Sequence, residues 1–93
     1  MGKYILRRLD QAGREHVIPL TGRTVIGRED VDVLISGDRY VSGRHAEVEL
    51  VGDQVILRDL DSRNGTYLRL NGELELRHGD VIAIGRQLLR YLE

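Results

Sequence analysis

Residues 46–57 read AEVELVGDQVIL. Ala46, Val48 and Leu50 alternate with Glu47 and Glu49, the period-two pattern of a strand with one face on a core and one in water. Val55-Ile56-Leu57 is a short β-branched run, as in a strand buried on both sides. Between them sits Gly52-Asp53, a pair that suits the positive φ of a tight hairpin turn. The stretch therefore predicts two antiparallel strands. The same grammar extends outward in both directions. Leu74 and Leu76 alternate with Glu73 and Glu75, and Val81-Ile82-Ala83-Ile84 is another short apolar run. Further strands are expected over residues 3–9, 16–20, 24–27, 33–35, 66–70 and 87–92. Asn71-Gly72 suits a second hairpin, while Gly13 and Gly79-Asp80 mark other reversals. No segment carries capped apolar spacing of helical period, so little or no helix is expected. The pattern predicts an all-β fold, an antiparallel β-sandwich of about ten or eleven short strands.

Composition narrows the functions open to such a sandwich. The 93 residues fit one domain, spanning 1–93. Strand pattern starts close to Met1 and runs almost to Glu93, as in a module cut from, or trimmed to, its folded core. There is no cysteine and there are three scattered histidines, so neither a disulfide nor a structural zinc site is expected. Charged residues reach 31% yet cancel to a net charge of -1, which argues against bulk binding of nucleic acid or an anionic membrane. The apolar runs are too short to span a bilayer, and MGKYILRR is no signal peptide, so a cytoplasmic location is expected. Eleven glycines against one proline fit a turn-rich β protein.

Catalysis finds little support. Ser42 and His45 are the only close Ser/His pair, and no G-x-S-x-G, Walker or G-x-G-x-x-G pattern occurs. No catalytic residue, metal or cofactor is expected. Three polar clusters are more informative. Thr24 to Arg28 is a strand ending in Gly27, then an arginine with a planar fork of donors. Val41 to Ala46 is a polar loop entering a strand, and Asp61 to Thr66 is a polar loop leading to Tyr67. If strand ends bring these loops together, Arg28, Ser42, Arg44, Arg63 and Asn64 share one rim. That rim suits a doubly charged phosphate flanked by peptide backbone.

These clusters resemble the signature of the forkhead-associated (FHA) domain, a phosphothreonine-reading β-sandwich of the SMAD/FHA-like type. The matching order is Gly27-Arg28, Ser42 with His45, Asp59, Ser62-Arg63-Asn64-Gly65-Thr66, Asn71-Gly72, Gly79-Asp80 and Ile84-Gly85. It covers essentially the whole chain. The resemblance implies that Arg28 and Ser42 bind phosphate and that Asn64 holds the ligand's main chain. Arg63 falls where family members often place a residue touching phosphate or peptide backbone. His45 is similar to a histidine that braces the loop without touching phosphate, and Gly27 and Gly65 shape the loops. Gly43 departs from the pattern, since the family usually places a polar contact residue there, and Arg44 comes one position late. Arg44 then faces away unless Gly43 lets the loop twist. Arg69 and Leu70 lengthen the stretch before Asn71-Gly72, so a longer strand or a bulge is expected there.

Other readings stand beside these. Arg28 could be a solvated arginine paired with Glu29, Asp30 or Asp32. Ser42 could simply end a strand through a local bond, and Asn64 could serve only its tight turn. Tyr40, Tyr67 and Tyr91 read as packing residues, His16 and His78 as surface residues, and Arg39 and Arg58 as solvated charges. The functional expectation is a phosphothreonine-dependent peptide-binding module. The alternative is a phosphate-independent interaction or dimerisation module of the same fold. The expected partner is a threonine-phosphorylated protein bound in trans, with a Ser/Thr kinase upstream, and the expected state is monomeric. No nucleic acid or membrane partner is expected.

Overall fold

The computed structural model describes residues 4–10, 12–67 and 73–93. Ten strands form among them, with no helix: β1 (Ile5–Leu9), β2 (Glu15–Pro19), β3 (Arg23–Gly27), β4 (Val33–Leu34), β5 (Ala46–Val51), β6 (Gln54–Asp59), β7 (Thr66–Tyr67), β8 (Glu73–Glu75), β9 (Val81–Ile84) and β10 (Gln87–Leu92). They make two five-stranded sheets, ordered β2-β1-β10-β9-β7 and β4-β3-β5-β6-β8. The expected β-sandwich is what the chain forms. One ladder is parallel, the short β3–β4 pairing of Ile26 with Val33 and Gly27 with Leu34.

The hairpin of residues 46–57 forms as its alternation required. Val51 pairs with Gln54, and of the two turn residues only Gly52 has positive φ, at 61°, the II′ pattern that calls for glycine first. Asn71-Gly72, and the bulge or longer strand expected near Leu70, lie outside the described residues.

The core lies between the sheets. Leu6, Ile26, Ala46, Leu57, Ile82, Ile84, Leu89 and Tyr91 have no exposed surface. Tyr91 packs as expected, stacked on Tyr4 with ring centres 6.4 Å apart. Tyr67 does not pack inward. In β7 Thr66 takes the core face, so alternation turns Tyr67 outward, where it is 64% exposed.

The outer face of the second sheet corrects two expectations. Arg58 is not a solvated charge, because strand register surrounds it with carboxylates. It pairs across the ladders with Glu47 and with Glu73, and its guanidinium reaches Glu47 at 2.9 Å, Glu49 at 2.6 Å and Glu73 at 2.6 Å. Glu47 is not on a wet face either. Arg23, at 2.6 Å, and Arg58 cover it until only 6% is exposed.

The chain's first and last strands are neighbours. Ile5 pairs with Leu92, five positions along β10 from Gln87, where that strand leaves the loop-bearing end. At that loop-bearing end β3 and β6 finish, β5 and β7 start, and β9 turns into β10.

Candidate functional site

Three loops meet at this end: residues 28–32 after β3, 35–45 before β5 and 60–65 before β7. Backbone bonds join the first two. The Arg28 N–H donates to the carbonyls of Ser42 (3.1 Å) and Gly43 (3.0 Å), and the Glu29 N–H donates to Gly43 (3.1 Å). This approach explains Gly27. A Cβ there would lie 2.1 Å from the Gly43 carbonyl oxygen, so only glycine lets the loops close.

His45 braces the second loop against the third. Its ring is fully buried. Nδ1 accepts the Ser42 N–H at 3.0 Å, so Nε2 carries the proton and donates to the Gly65 carbonyl at 2.8 Å. Both ring nitrogens are thus engaged within the protein, as expected of a structural histidine. Gly65 itself holds φ at 84°, with the Tyr67 ring lying over its Cα.

The third loop folds around Asp59. Its carboxylate accepts the Ser62 hydroxyl and N–H and the Thr66 hydroxyl, the last at 2.7 Å. Burial works against the charge, but these donors outweigh it and hold the Asp59 pKa below the ordinary carboxylate value. The Ser62 hydroxyl in turn accepts the Gly65 N–H. Asp30 and Asp61 sit at φ 56° and 55°, left-handed conformations that aspartate tolerates better than most residues.

Against that frame the side chains of interest converge. The Ser42 hydroxyl accepts the Arg63 N–H at 3.0 Å, which leaves its own proton to donate. The Asn64 amide donates to the Tyr40 carbonyl at 3.0 Å, which leaves one N–H and the amide oxygen for another chain. Arg28 and Arg63 are exposed, and no ion pair among the described residues includes either. The pairing of Arg28 with Glu29, Asp30 or Asp32 is therefore not seen; Asp32 instead accepts the Val25 N–H at 2.8 Å. Arg44 lies elsewhere, beside Val25, Asp30, Asp32 and Leu34 in a separate depression. At Gly43 a Cβ would meet nothing closer than the Glu29 carboxylate at 3.6 Å, so a side chain has room.

One organiser leaves little trace in the sequence. Asp38 is buried and accepts the Tyr40 N–H at 2.9 Å and the Arg86 N–H at 2.7 Å. It ties the second loop to the β9–β10 turn. Burial opposes its charge, but the Arg86 and Tyr40 amides prevail and its pKa is lowered. The only local signal was its place after Ser36-Gly37, a turn-like run.

A frame of buried Asp and His under a rim of exposed Arg and Asn and a half-buried Ser, on a two-sheet sandwich, defines a class of domain. The family model for the FHA domain matches residues 24–85, and the chain belongs to that family. It is 46% identical over 65 residues to the FHA domain-containing protein FhaB of Mycobacterium tuberculosis, covering 67% of this chain and 42% of the relative. The chain thus spans less than half the length of that relative. A solved structure from work on phosphothreonine-dependent FHA domain interactions matches 97% of this chain and 95% of its own, with TM-score 0.82 and 32% identity. The FhaA FHA domain, solved in complex with the intracellular domain of another protein, matches 96% and 99%, with TM-score 0.80 and 33% identity.

Proposed function

We propose that this domain binds proteins phosphorylated on threonine and performs no chemistry on them. The observation that carries the reading is the pairing of two half-used side chains. Ser42 keeps a hydroxyl proton, and Asn64 keeps an amide edge, on loops locked together by His45, Arg63 and Tyr40. Arg28 and Arg63 stand beside them without carboxylate partners. The phosphate of phosphothreonine brings about -1.5 to -2 charges at neutral pH, where an acidic side chain brings one. Arg28, Ser42 and Arg63 would engage it, and Asn64 would hold the adjoining peptide backbone. Arg44 is the weaker candidate for phosphate, since it lies with Asp30 and Asp32. Charge-assisted hydrogen bonds contribute roughly 1.5–3 kcal/mol each, so two or three give about micromolar binding. The frame is preformed, so little ordering entropy opposes the ligand.

The partner is then a phosphoprotein in trans, downstream of a Ser/Thr kinase, met by a monomeric domain in the cytoplasm. Among the described residues no helix is long and apolar enough to cross a membrane. The test is a fluorescence titration with matched threonine and phosphothreonine peptides. Preferential binding of the phosphorylated form is expected. Equal affinities would overturn the reading and favour phosphate-independent docking, for which Gly43, lacking any side chain beside Ser42, is the one observation in favour.

A further inference from the structure

The third loop carries a dipeptide that is chemically fragile by nature. Asn64-Gly65 joins a side-chain amide to a following residue without a Cβ. No side chain on Gly65 then shields its backbone nitrogen from the Asn64 Cγ, and asparagine is among the residue types that heat and time degrade. The loop cannot dispense with either residue. Asn64 supplies the amide that reaches the Tyr40 carbonyl and offers its other edge outward. Gly65 holds φ at 84°, where a side chain is strained and a Cβ would lie 3.2 Å from the Tyr67 ring. Asn64 is also exposed, so water and base can reach it.

The surrounding bonds restrain both of the groups that would react. The nucleophile would be the Gly65 nitrogen, and its N–H donates to Ser62 Oγ at 2.9 Å. Ser62 is itself held from two sides. Its hydroxyl donates to one Asp59 oxygen, and its N–H donates to the other at 3.0 Å. Oγ is thereby oriented to accept from Gly65. Beyond the Cα, the Gly65 carbonyl accepts the His45 Nε2 proton at 2.8 Å, so this residue is anchored at both ends. The leaving group would be Asn64 Nδ2, and it donates to the Tyr40 carbonyl at 3.0 Å. Attack requires the Gly65 nitrogen to give up its proton and the Asn64 amide to swing toward it. The Ser62 and Tyr40 bonds must both break first.

We infer that Asn64-Gly65 is a latent self-modification site, held unreactive by the Asp59–Ser62 clasp and the Tyr40 carbonyl, and that its reaction ends binding. When the clasp opens, the Gly65 nitrogen loses its proton to base and attacks Asn64 Cγ. The N–Cγ bond forms, the Cγ–Nδ2 bond breaks, and Nδ2 takes up a proton and leaves as ammonia. Water then opens the cyclic imide at one carbonyl or the other, giving aspartate or isoaspartate at position 64. No oxidant or reductant is involved. Either product loses the donor to Tyr40 and sets a carboxylate on the rim where a phosphate would bind. Isoaspartate also lengthens the main chain, which displaces the Gly65 N–H from Ser62. The chemistry stands on the loop geometry, and only its consequence for binding rests on the phosphothreonine reading.

The test ages the whole chain at mildly alkaline pH and follows position 64 by peptide mapping with mass spectrometry. Conversion in the folded chain is expected to run more than about tenfold slower than in the same chain unfolded in guanidinium chloride, the worth of at least one hydrogen bond. Ser62→Ala, checked as folded by circular dichroism, is expected to convert about tenfold faster than the parent. Ser62→Thr, which restores a hydroxyl, is expected to convert near the parent's rate. Equal rates in the folded and unfolded parent overturn the restraint, whether or not any variant folds. A folded Ser62→Ala chain that converts no faster than the parent overturns the clasp. Asn64→Asp, which sets one product in place, is expected to lose phosphopeptide binding in an anisotropy titration, and affinity equal to the parent's overturns the consequence for binding. A parent that fails to tell phosphothreonine from threonine is a distinct result. It removes the phosphothreonine reading and leaves the mass readout to decide the self-modification.

Discussion

Arg28 contributes to the fold through its backbone and is free to contribute to binding through its side chain. Its N–H joins two loops, while its guanidinium is exposed without an acidic partner. Arg28→Ala should therefore weaken phosphopeptide binding by more than about tenfold, near the worth of one charge-assisted bond, and leave the urea midpoint unchanged. Equal calorimetric affinity for variant and parent would sink the assignment. His45 is the opposite case. Truncating its ring leaves the Ser42 N–H and the Gly65 carbonyl unpaired around a new cavity. His45→Ala should cost about 2–4 kcal/mol in urea denaturation, and binding should fall with the frame. An unchanged denaturation curve would show that the loops hold without the imidazole.

At the scale of strands and loops, legibility followed local pattern. The β5–β6 hairpin was readable because alternation and Gly52 agreed on one answer. The β3–β4 ladder was not, because two residue pairs leave no periodic trace. The pairing of Arg58 leaves no local trace for a related reason. Its three carboxylates come from β5 and β8, and only the register shows that they face it. Arg28, Ser42, Arg63 and Asn64 were legible as loop chemistry in order along the chain, whereas Asp38 acts on Arg86 across 48 positions and no local signal reports that. Removing Arg58 as a donor should leave Glu47 buried with Arg23 alone. Arg58→Met should cost about 1–3 kcal/mol by thermal or urea unfolding, and a variant as stable as the parent would show the network to be neutral. In the second loop, Gly43→Asn fits without backbone clash and places an amide beside Ser42. It should tighten phosphopeptide binding severalfold. Unchanged or weaker binding by titration calorimetry would mean that the amide turns to Glu29 or that the loop needs its bare glycine.

The whole molecule carries several carboxylates whose charge the fold favours. Asp38, Glu47 and Asp59 all have pKa values lowered from ordinary values of 3.8 for Asp and 4.5 for Glu, since hydrogen-bond donors outweigh burial. The unfolded chain takes up protons on these groups first as pH drops. Their stabilisation is thus complete above the ordinary carboxylate range and lost as pH falls below it. The urea midpoint should be markedly lower at about pH 3 than at about pH 6, and Asp59→Asn should flatten that slope. Equal midpoints at both pH values would refute the linkage. The adjacency of β1 and β10 has a practical corollary. Ile5 and Leu92 sit side by side, a strand length of roughly 17 Å from the β9–β10 turn. A fluorophore, surface tether or second recognition module attached to either end would leave the binding rim pointing outward. Both attachments would emerge from one spot, so the sandwich could be spliced into a host loop as readily as strung in tandem.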